Sequence, residues 1–289
     1  MKPPVDTIIT DLDNTLYDWF KFWYASFGEM LRVLVEESGI SAEEMKPEIR
    51  ALHHKYGTSE YSALIQELPC LQKKFPGEDL PKRFGNAIEA YRRARKATLE
   101  LYPTVLETLC ELKSRRVKII GYTDSRAYQS AYRVRRLGLD GVLDYLYSPP
   151  DHKLPPHTTP ESMRTRPPEE YKFKVTQHRH TPEGESKPNP HLLLTIIAGV
   201  GATPERTVYV GDSLMKDITM AQQAGIFDVY AEYGVVEDKA AYTLLQEVSH
   251  WPQTAVDREK VLTTAQVSPT YVLHGNFAEL LALFDFRPH

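Results

Sequence analysis

The sequence predicts an α/β protein: a Rossmann-like, doubly wound, mostly parallel sheet with an all-helical segment inserted after its first strand. Three observations carry this. Short β-branched runs recur with helix-length stretches between them, the spacing of crossover-connected parallel strands. The first run ends in two carboxylates, Asp11 and Asp13, and later runs end at Thr123 and Asp212, so polar residues collect at one edge of such a sheet. Between the first two strands, residues 17–100 repeat apolar positions at three- and four-residue spacing with no alternating strand pattern.

The elements follow in order. Ile8 and Ile9, flanked by Thr7 and Thr10, make the first strand, over 5–11. Phe20, Trp23, Tyr24, Phe27, Met30, Leu31, Leu34 and Val35 predict a helix that Gly39 ends. Ser41 with Glu44 reads as a capping box for the next helix, over Glu43–Tyr56. Helices over Glu60–Leu68 and Leu80–Thr98 follow, separated by Phe75-Pro76-Gly77. Pro103 suits a first helical position, with Val105, Leu106, Leu109 and Leu112 on one apolar stripe. Val117–Tyr122 is a strand ending at Thr123. Ser125 or Asp124 then caps a helix through Leu137, with Ala127, Ala131 and Val134 inward and Arg133, Arg135 and Arg136 outward; Gly138 stops it. Val142–Tyr147 is the next strand. Residues 148–186, rich in Pro, His and charge, read as an insertion, in which Tyr171–His178 alternates as a hairpin or edge strand. Asn189 and Pro190 open a helix through Ala198. Strands Thr207–Val210 and Phe227–Ala231 flank a helix that stops at Ala224-Gly225. A second insertion, 235–268, precedes a closing strand, Thr270–Leu273, and helix, Phe277–Phe284.

Of 289 residues, 42% are hydrophobic and 26% charged, with net charge −4. That suits a packed globular chain and speaks against a nucleic-acid polymer or an anionic membrane as main partner. Basic runs such as Arg92, Arg93, Arg95, Lys96 read as solvated helix faces. Cys70 and Cys110 make no disulfide framework and no metal-ligand spacing, and their apolar contexts predict buried thiols. MKPPVDTIIT runs directly into a strand with no visible signal peptide, and no run reaches the roughly 18 apolar residues of a membrane span. The cytoplasm is the expected compartment.

The strand ends offer several carboxylates, a hydroxyl and an amine at one crevice. Two close carboxylates repel unless a cation sits between them, and magnesium is the usual oxygen-loving choice. Such a set suits phosphoryl transfer through a covalent intermediate. A carboxylate can attack phosphorus, Lys187 and a metal can offset charge on the equatorial oxygens, and a second acid can move the proton. The Thr123 hydroxyl, beside a helix start, can hold a phosphate oxygen.

DLDNTL at Asp11–Leu16 resembles the first motif of the haloacid dehalogenase superfamily, most of whose members are phosphatases. Thr123, the Lys187 of SKPNP, and Asp212 and Asp217 of GDSLMKD are similar to its second, third and fourth motifs, in family order. The resemblance implies that Asp11 is the nucleophile, Asp13 the general acid/base, Thr123 and Lys187 phosphate contacts, and Asp11, Asp212, Asp217 and the Asp13 backbone carbonyl the Mg2+ ligands. It also implies that 17–100 is a cap domain on a core of 1–16 and 101–289. The dehalogenase branch lacks an acid at the position of Asp13, so its presence points to a phosphatase acting on a small phosphorylated metabolite. The branch resembled contains phosphoglycolate-phosphatase-like and pyrimidine-nucleotidase-like enzymes, with DNTLYDW leaning to the latter. A haloacid dehalogenase and a catalytically quiet interaction protein are the alternatives.

Some residues depart from the pattern. Asp124 stands where many relatives have Asn: it either caps the next helix with its side chain turned away, the favoured reading, or touches phosphate or substrate. Arg126 either draws in an anion or is a solvated helix-start arginine. Tyr17 and Trp19 lie nearest Asp13 and are the first candidates to meet substrate. Asp18, His53, His54, Lys55, Arg83 and Arg92 are further conceivable contacts. His152, His157, His178 and His180 share the first insertion; without matched Cys or acidic ligands they read as loop histidines rather than a zinc site.

Overall fold

The computed structural model describes residues 2–156, 158–163, 167–235, 239–250 and 267–288. Two strands at the chain ends, β1 (Pro4–Val5) and β9 (Asp285–Phe286), pair in parallel. Between them run β2 (Thr7–Thr10), β3 (Lys118–Tyr122), β4 (Tyr145–Ser148), β5 (Gln177–His180), β6 (Thr207–Gly211), β7 (Phe227–Ala231) and β8 (Tyr271–Leu273). These form one sheet in the order β5-β4-β3-β2-β6-β7-β8, and every neighbouring pair is parallel. Strand order reverses at β2, which puts its carboxyl end at the topological switch point. Each face of the sheet has its own core: Ile8, Ile119 and Val208 belong to one apolar cluster, and Ile9, Ile120 and Tyr209 to the other. A parallel sheet covered on both faces explains why β2 and β6 are buried throughout.

Seven helices lie between β2 and β3, and the first six fall within the inserted segment: α1 (Trp19–Ser38), α2 (Ala42–Tyr56), α3 (Leu64–Glu67), α4 (Pro69–Lys74), α5 (Leu80–Arg83) and α6 (Gly85–Thr98). α1 ends at Gly39, whose φ of 63° is left-handed, and Ser41 caps α2 by accepting from the Glu44 N–H. The chain leaves and re-enters the sheet side by side: Tyr17 bridges Leu101, and the Tyr102 N–H donates to Leu16 O at 2.9 Å. Among the described residues the remaining helices are α7 (Val105–Ser114), α8 (Ala127–Arg136), α9 (Pro160–Met163), α10 (Pro190–Gly199), α11 (Thr219–Gln223), α12 (Lys239–Val248) and α13 (Leu280–Leu283).

Several sequence expectations are corrected. The helix expected over Leu80–Thr98 is broken at Phe84, whose fully buried ring fixes the break, and that expected over Glu60–Leu68 is only α3. Pro103 lies outside α7, which starts after Thr104 in a left-handed turn, and Leu106 is exposed. Cys110 is exposed, unlike Cys70. The strand expected over Tyr171–His178 forms later, at Gln177–His180, as an edge strand: the Asp140 carboxylate accepts the N–H groups of Lys174, Val175 and Thr176 and holds them off the ladder. α8 begins without a side-chain cap from Ser125 or Asp124. Arg133 of α8 is not outward but wholly buried. His157 and residues 236–238 and 251–266 of the insertions fall outside the described residues.

Candidate active site

Asp11 follows β2 directly, and its N–H donates to Val210 O at 2.8 Å, extending the β2–β6 ladder by one residue. After β6, Ser213 caps a π-helical turn, Leu214–Ile218, that swings Asp217 back beneath the strand end. Only glycine fits at 211: a Cβ there would lie 2.4 Å from the Asp217 carboxyl group. At the far side of the loop, a Cβ on Gly234 would lie 1.8 Å from Asn14 O, so this glycine lets the Asn14 turn seat against it.

Lys187 reaches into this acid cluster. Its Nζ donates to Asp11 Oδ1 at 2.5 Å, Asp217 Oδ1 at 2.8 Å and Tyr209 Oη at 3.2 Å. Tyr209 donates to Asp217 Oδ1 at 3.0 Å, and Thr15 to Asp212 Oδ1 at 3.2 Å. Burial pushes the Asp11 carboxyl well above the usual carboxylate range; Lys187 pulls it down, and Asp217 and Asp212 push it up again. Burial and then Asp217 raise Asp212 to about 7, against the pull of Lys187. For Lys187, burial works against the charge, but Asp11 and Asp217 outweigh it and hold the ammonium well above its ordinary range.

Carboxylate oxygens of Asp11, Asp212 and Asp217 all lie within 4.8 Å of one another. Three crowded acids and one lysine leave the pocket short of positive charge, and an all-oxygen donor set fits a hard divalent cation. Asp13 is not in that group. Its carboxylate turns aside: Tyr17 Oη donates to Oδ1 at 2.6 Å, Ser125 Oγ to Oδ2 at 2.5 Å and Arg133 Nη1 to Oδ1 at 3.1 Å. Arg133 in turn grips both oxygens of Glu60, which precedes α3.

The other candidates fall as follows. The Thr123 hydroxyl accepts from the Ser125 N–H at 3.0 Å. Asp124 accepts the Lys187 N–H at 3.1 Å, so rather than capping α8 it ties the two loops together. Trp19 stacks on Trp23 and its indole N–H donates to Glu60 at 3.3 Å. Arg126 donates to Tyr56 O and Pro150 O, both at 3.3 Å. It also lines a cavity of about 1230 Å³ whose walls include Glu60, Tyr61, Arg95 and Tyr128. His53 is buried with Nδ1 2.6 Å from Val248 O, Asp18 caps α1, Lys55 pairs with Glu67, and Arg83 and Arg92 pair with Glu78 and Glu89. His178 sits 2.8 Å from Ser148 Oγ with its ring beside that of His180. Among the described residues, Asp11, Asp212 and Asp217 are the one group of acids, histidines or cysteines that could hold a metal. Thr15, Glu60, Ser125, Arg133 and Tyr209 were not foreseen. Thr15 lies inside the first motif and Tyr209 alternates with Val208 and Val210 on β6, so those two carried a signal; Glu60 carried none.

A doubly wound parallel sheet with buried acids and a lysine at the carboxyl ends of its central strands defines a Rossmann-like hydrolase. The chain belongs to the haloacid dehalogenase-like hydrolases: that family's model matches residues 5–225, and a second, HAD-hydrolase-like model matches 185–275. It is similar to a glyceraldehyde 3-phosphate phosphatase of Methanopyrus kandleri, at 25% identity across 81% of this chain and 87% of the relative. Among solved structures it resembles a 2-haloacid dehalogenase from Pseudomonas syringae, with a TM-score of 0.55, 20% identity and coverage of 96% and 97% of the two chains. A Bacillus subtilis HAD-hydrolase, YfnB, solved with magnesium, shares the fold at a TM-score of 0.50 and 16% identity, over 96% of this chain and 97% of that one. No helix among the described residues is long and apolar enough to cross a membrane.

Proposed function

We propose that this chain is a phosphatase that hydrolyses small phosphate monoesters with Mg2+, through an aspartyl phosphate on Asp11. The observation that carries this is Asp13: a carboxylate two residues beyond Asp11, held by three donors, Tyr17, Ser125 and Arg133. Attack on phosphorus with an alkoxide leaving group needs a proton donor there. The name of the Methanopyrus relative agrees with phosphate-ester chemistry on a small sugar.

Lys187 holds Asp11 Oδ1 and leaves Oδ2 to attack phosphorus. As the new P–O bond forms, the P–O bond to the leaving group breaks, and Asp13 delivers its proton to the departing oxygen. Asp13 then takes a proton from water, whose oxygen attacks phosphorus and breaks the bond to Asp11, releasing inorganic phosphate. Thr123 and the Lys187 ammonium stabilise the equatorial oxygens. Asp11, Asp212, Asp217 and the Asp13 carbonyl would hold Mg2+, which neutralises charge on the transferring phosphoryl group. Residues 17–100 act as a cap on the core formed by 1–16 and 101–289. Tyr17 and Trp19 are buried and already engaged by Asp13 and Glu60, so they do not grip substrate.

Phosphate release from a panel including glyceraldehyde 3-phosphate, phosphoglycolate and nucleoside monophosphates is the test, with Mg2+ and with EDTA. Activity with Mg2+ that vanishes in EDTA and in Asp11→Asn is expected. Equal rates for wild type and Asp11→Asn would overturn the assignment.

A further inference from the structure

Arg133 is the odd residue of the core. Its side chain is 0% exposed, although it carries a full charge. Burying a guanidinium is expensive, and an apolar residue of the same volume would often stabilise as well or better. Packing would allow one, since Phe22 and Tyr17 already lie against the guanidinium at 5.1 Å and 5.9 Å. Stability therefore does not account for arginine here, whereas its planar fork does something an apolar side chain cannot. One nitrogen, Nη1, donates to Asp13 Oδ1 at 3.1 Å and to Ser125 Oγ at 3.0 Å. The other, Nη2, takes both oxygens of Glu60, whose side chain is 6% exposed. Ser125 itself donates to the second oxygen of Asp13. A single buried group on α8 thus fixes both oxygens of Asp13, directly and through Ser125, and is itself fixed by the inserted helical segment.

Building on the phosphatase reading, we infer that Arg133 is the positioning residue for proton transfer by Asp13, with Glu60 as its anchor. Arg133 touches neither substrate nor metal. It sets where the Asp13 carboxyl points, and Glu60 makes that aim depend on the helical segment being seated.

Leaving groups distinguish this from a structural role. An alkyl phosphate needs the proton as its P–O bond breaks, whereas 4-nitrophenolate departs without it. For kcat/KM, which reports the steps up to the first bond cleavage, Arg133→Gln lowers the alkyl phosphate value on the order of 100-fold. The 4-nitrophenyl phosphate value changes only a few-fold, so the aryl-to-alkyl ratio rises. Arg133→Lys, which keeps the charge and cannot span both partners, restores part of the ratio. Adding Arg133→Gln to Asp13→Asn moves the ratio no further. Glu60→Gln, isosteric and remote from Asp13, shifts it in the same direction and decides the matter if Arg133→Gln does not fold. An equal fall for both esters, or an unchanged ratio in Glu60→Gln when Arg133→Gln is unfolded, overturns the inference. Wild type no faster than Asp11→Asn on either ester instead overturns the phosphatase reading itself.

Discussion

Lys187 is the residue on which the acid cluster balances. Its ammonium, 4% exposed, pairs with two carboxylates that are themselves buried, Asp11 and Asp217. Removing one partner of a buried pair leaves charge without compensation and costs about 3–5 kcal/mol. Lys187→Met should therefore melt well below wild type in metal-free buffer. Millimolar Mg2+ should raise the melting temperature of both proteins, by linkage to the folded state, and that rise should be lost in Asp212→Asn. A Lys187→Met variant as stable as wild type would mean that the acids do not depend on this one cation. In the proposed mechanism the dependence around Asp13 is catalytic. Tyr17→Phe deletes a hydrogen bond to a carboxylate, a type worth about 1.5–3 kcal/mol. We expect kcat for an alkyl phosphate to fall roughly ten-fold or more, with the near-ultraviolet circular dichroism unchanged.

At the scale of elements, the site depends on how β6 ends. Gly211→Ala would place a Cβ within 2.4 Å of the Asp217 carboxyl group. The expected result is a folded protein that needs far more Mg2+ to reach half-maximal activity; an unaltered Mg2+ titration would show that the turn yields without moving Asp217. The strands that carry the acids were readable because each is a short β-branched run that stops at a polar residue. Ile8-Ile9 before Asp11 and Val208–Val210 before Gly211-Asp212 could be placed from sequence within about two residues, although Val5, expected in the first strand, belongs to β1. What could not be read lies where local pattern and tertiary contact disagree. Arg133 sits among arginines on a helix whose apolar stripe is Ala127, Ala131 and Val134, so charge alone assigned it to solvent. Its burial depends on Glu60, 73 residues away, and pairings of that separation leave no periodicity. Likewise Tyr171–His178 had the alternation of a strand, but Asp140 claims its backbone N–H groups.

At the scale of the whole molecule, the helical segment is tied to the rest of the chain at more than its two linkers. From the second insertion, α12 packs on α2 and α1, Val248 O meets His53 Nδ1 at 2.6 Å, His250 Nδ1 meets Ser59 Oγ at 2.9 Å, and Glu247 pairs with Lys46. From the first, His152 meets Ser62 at 3.2 Å and Thr158 bonds Gln66. These straps restrain any opening of the segment, and two of them are acid-sensitive. Burial lowers His53 to about 4, partly offset by its bond to Val248 O. Burial lowers His250 to about 3, with His53, Lys216, His54 and Arg126 adding to the fall. A histidine with its folded pKa below its unfolded value of about 6.5 binds fewer protons when folded. Stability therefore rises with pH through that window and is lost as pH falls below about 6.5. For His53 alone the loss by pH 5 is about 2 kcal/mol, and it falls on the strap, not the sheet. Amides of α2 and of residues 242–250 should exchange faster at pH 5 than at pH 7, after correction for intrinsic rates, while those of β2 and β6 keep their protection. His53→Gln, which cannot be charged, should flatten that contrast. Equal protection of α2 at both pH values in wild type would show that the strap does not release with acid, and that the helical segment opens, if at all, by its linkers alone.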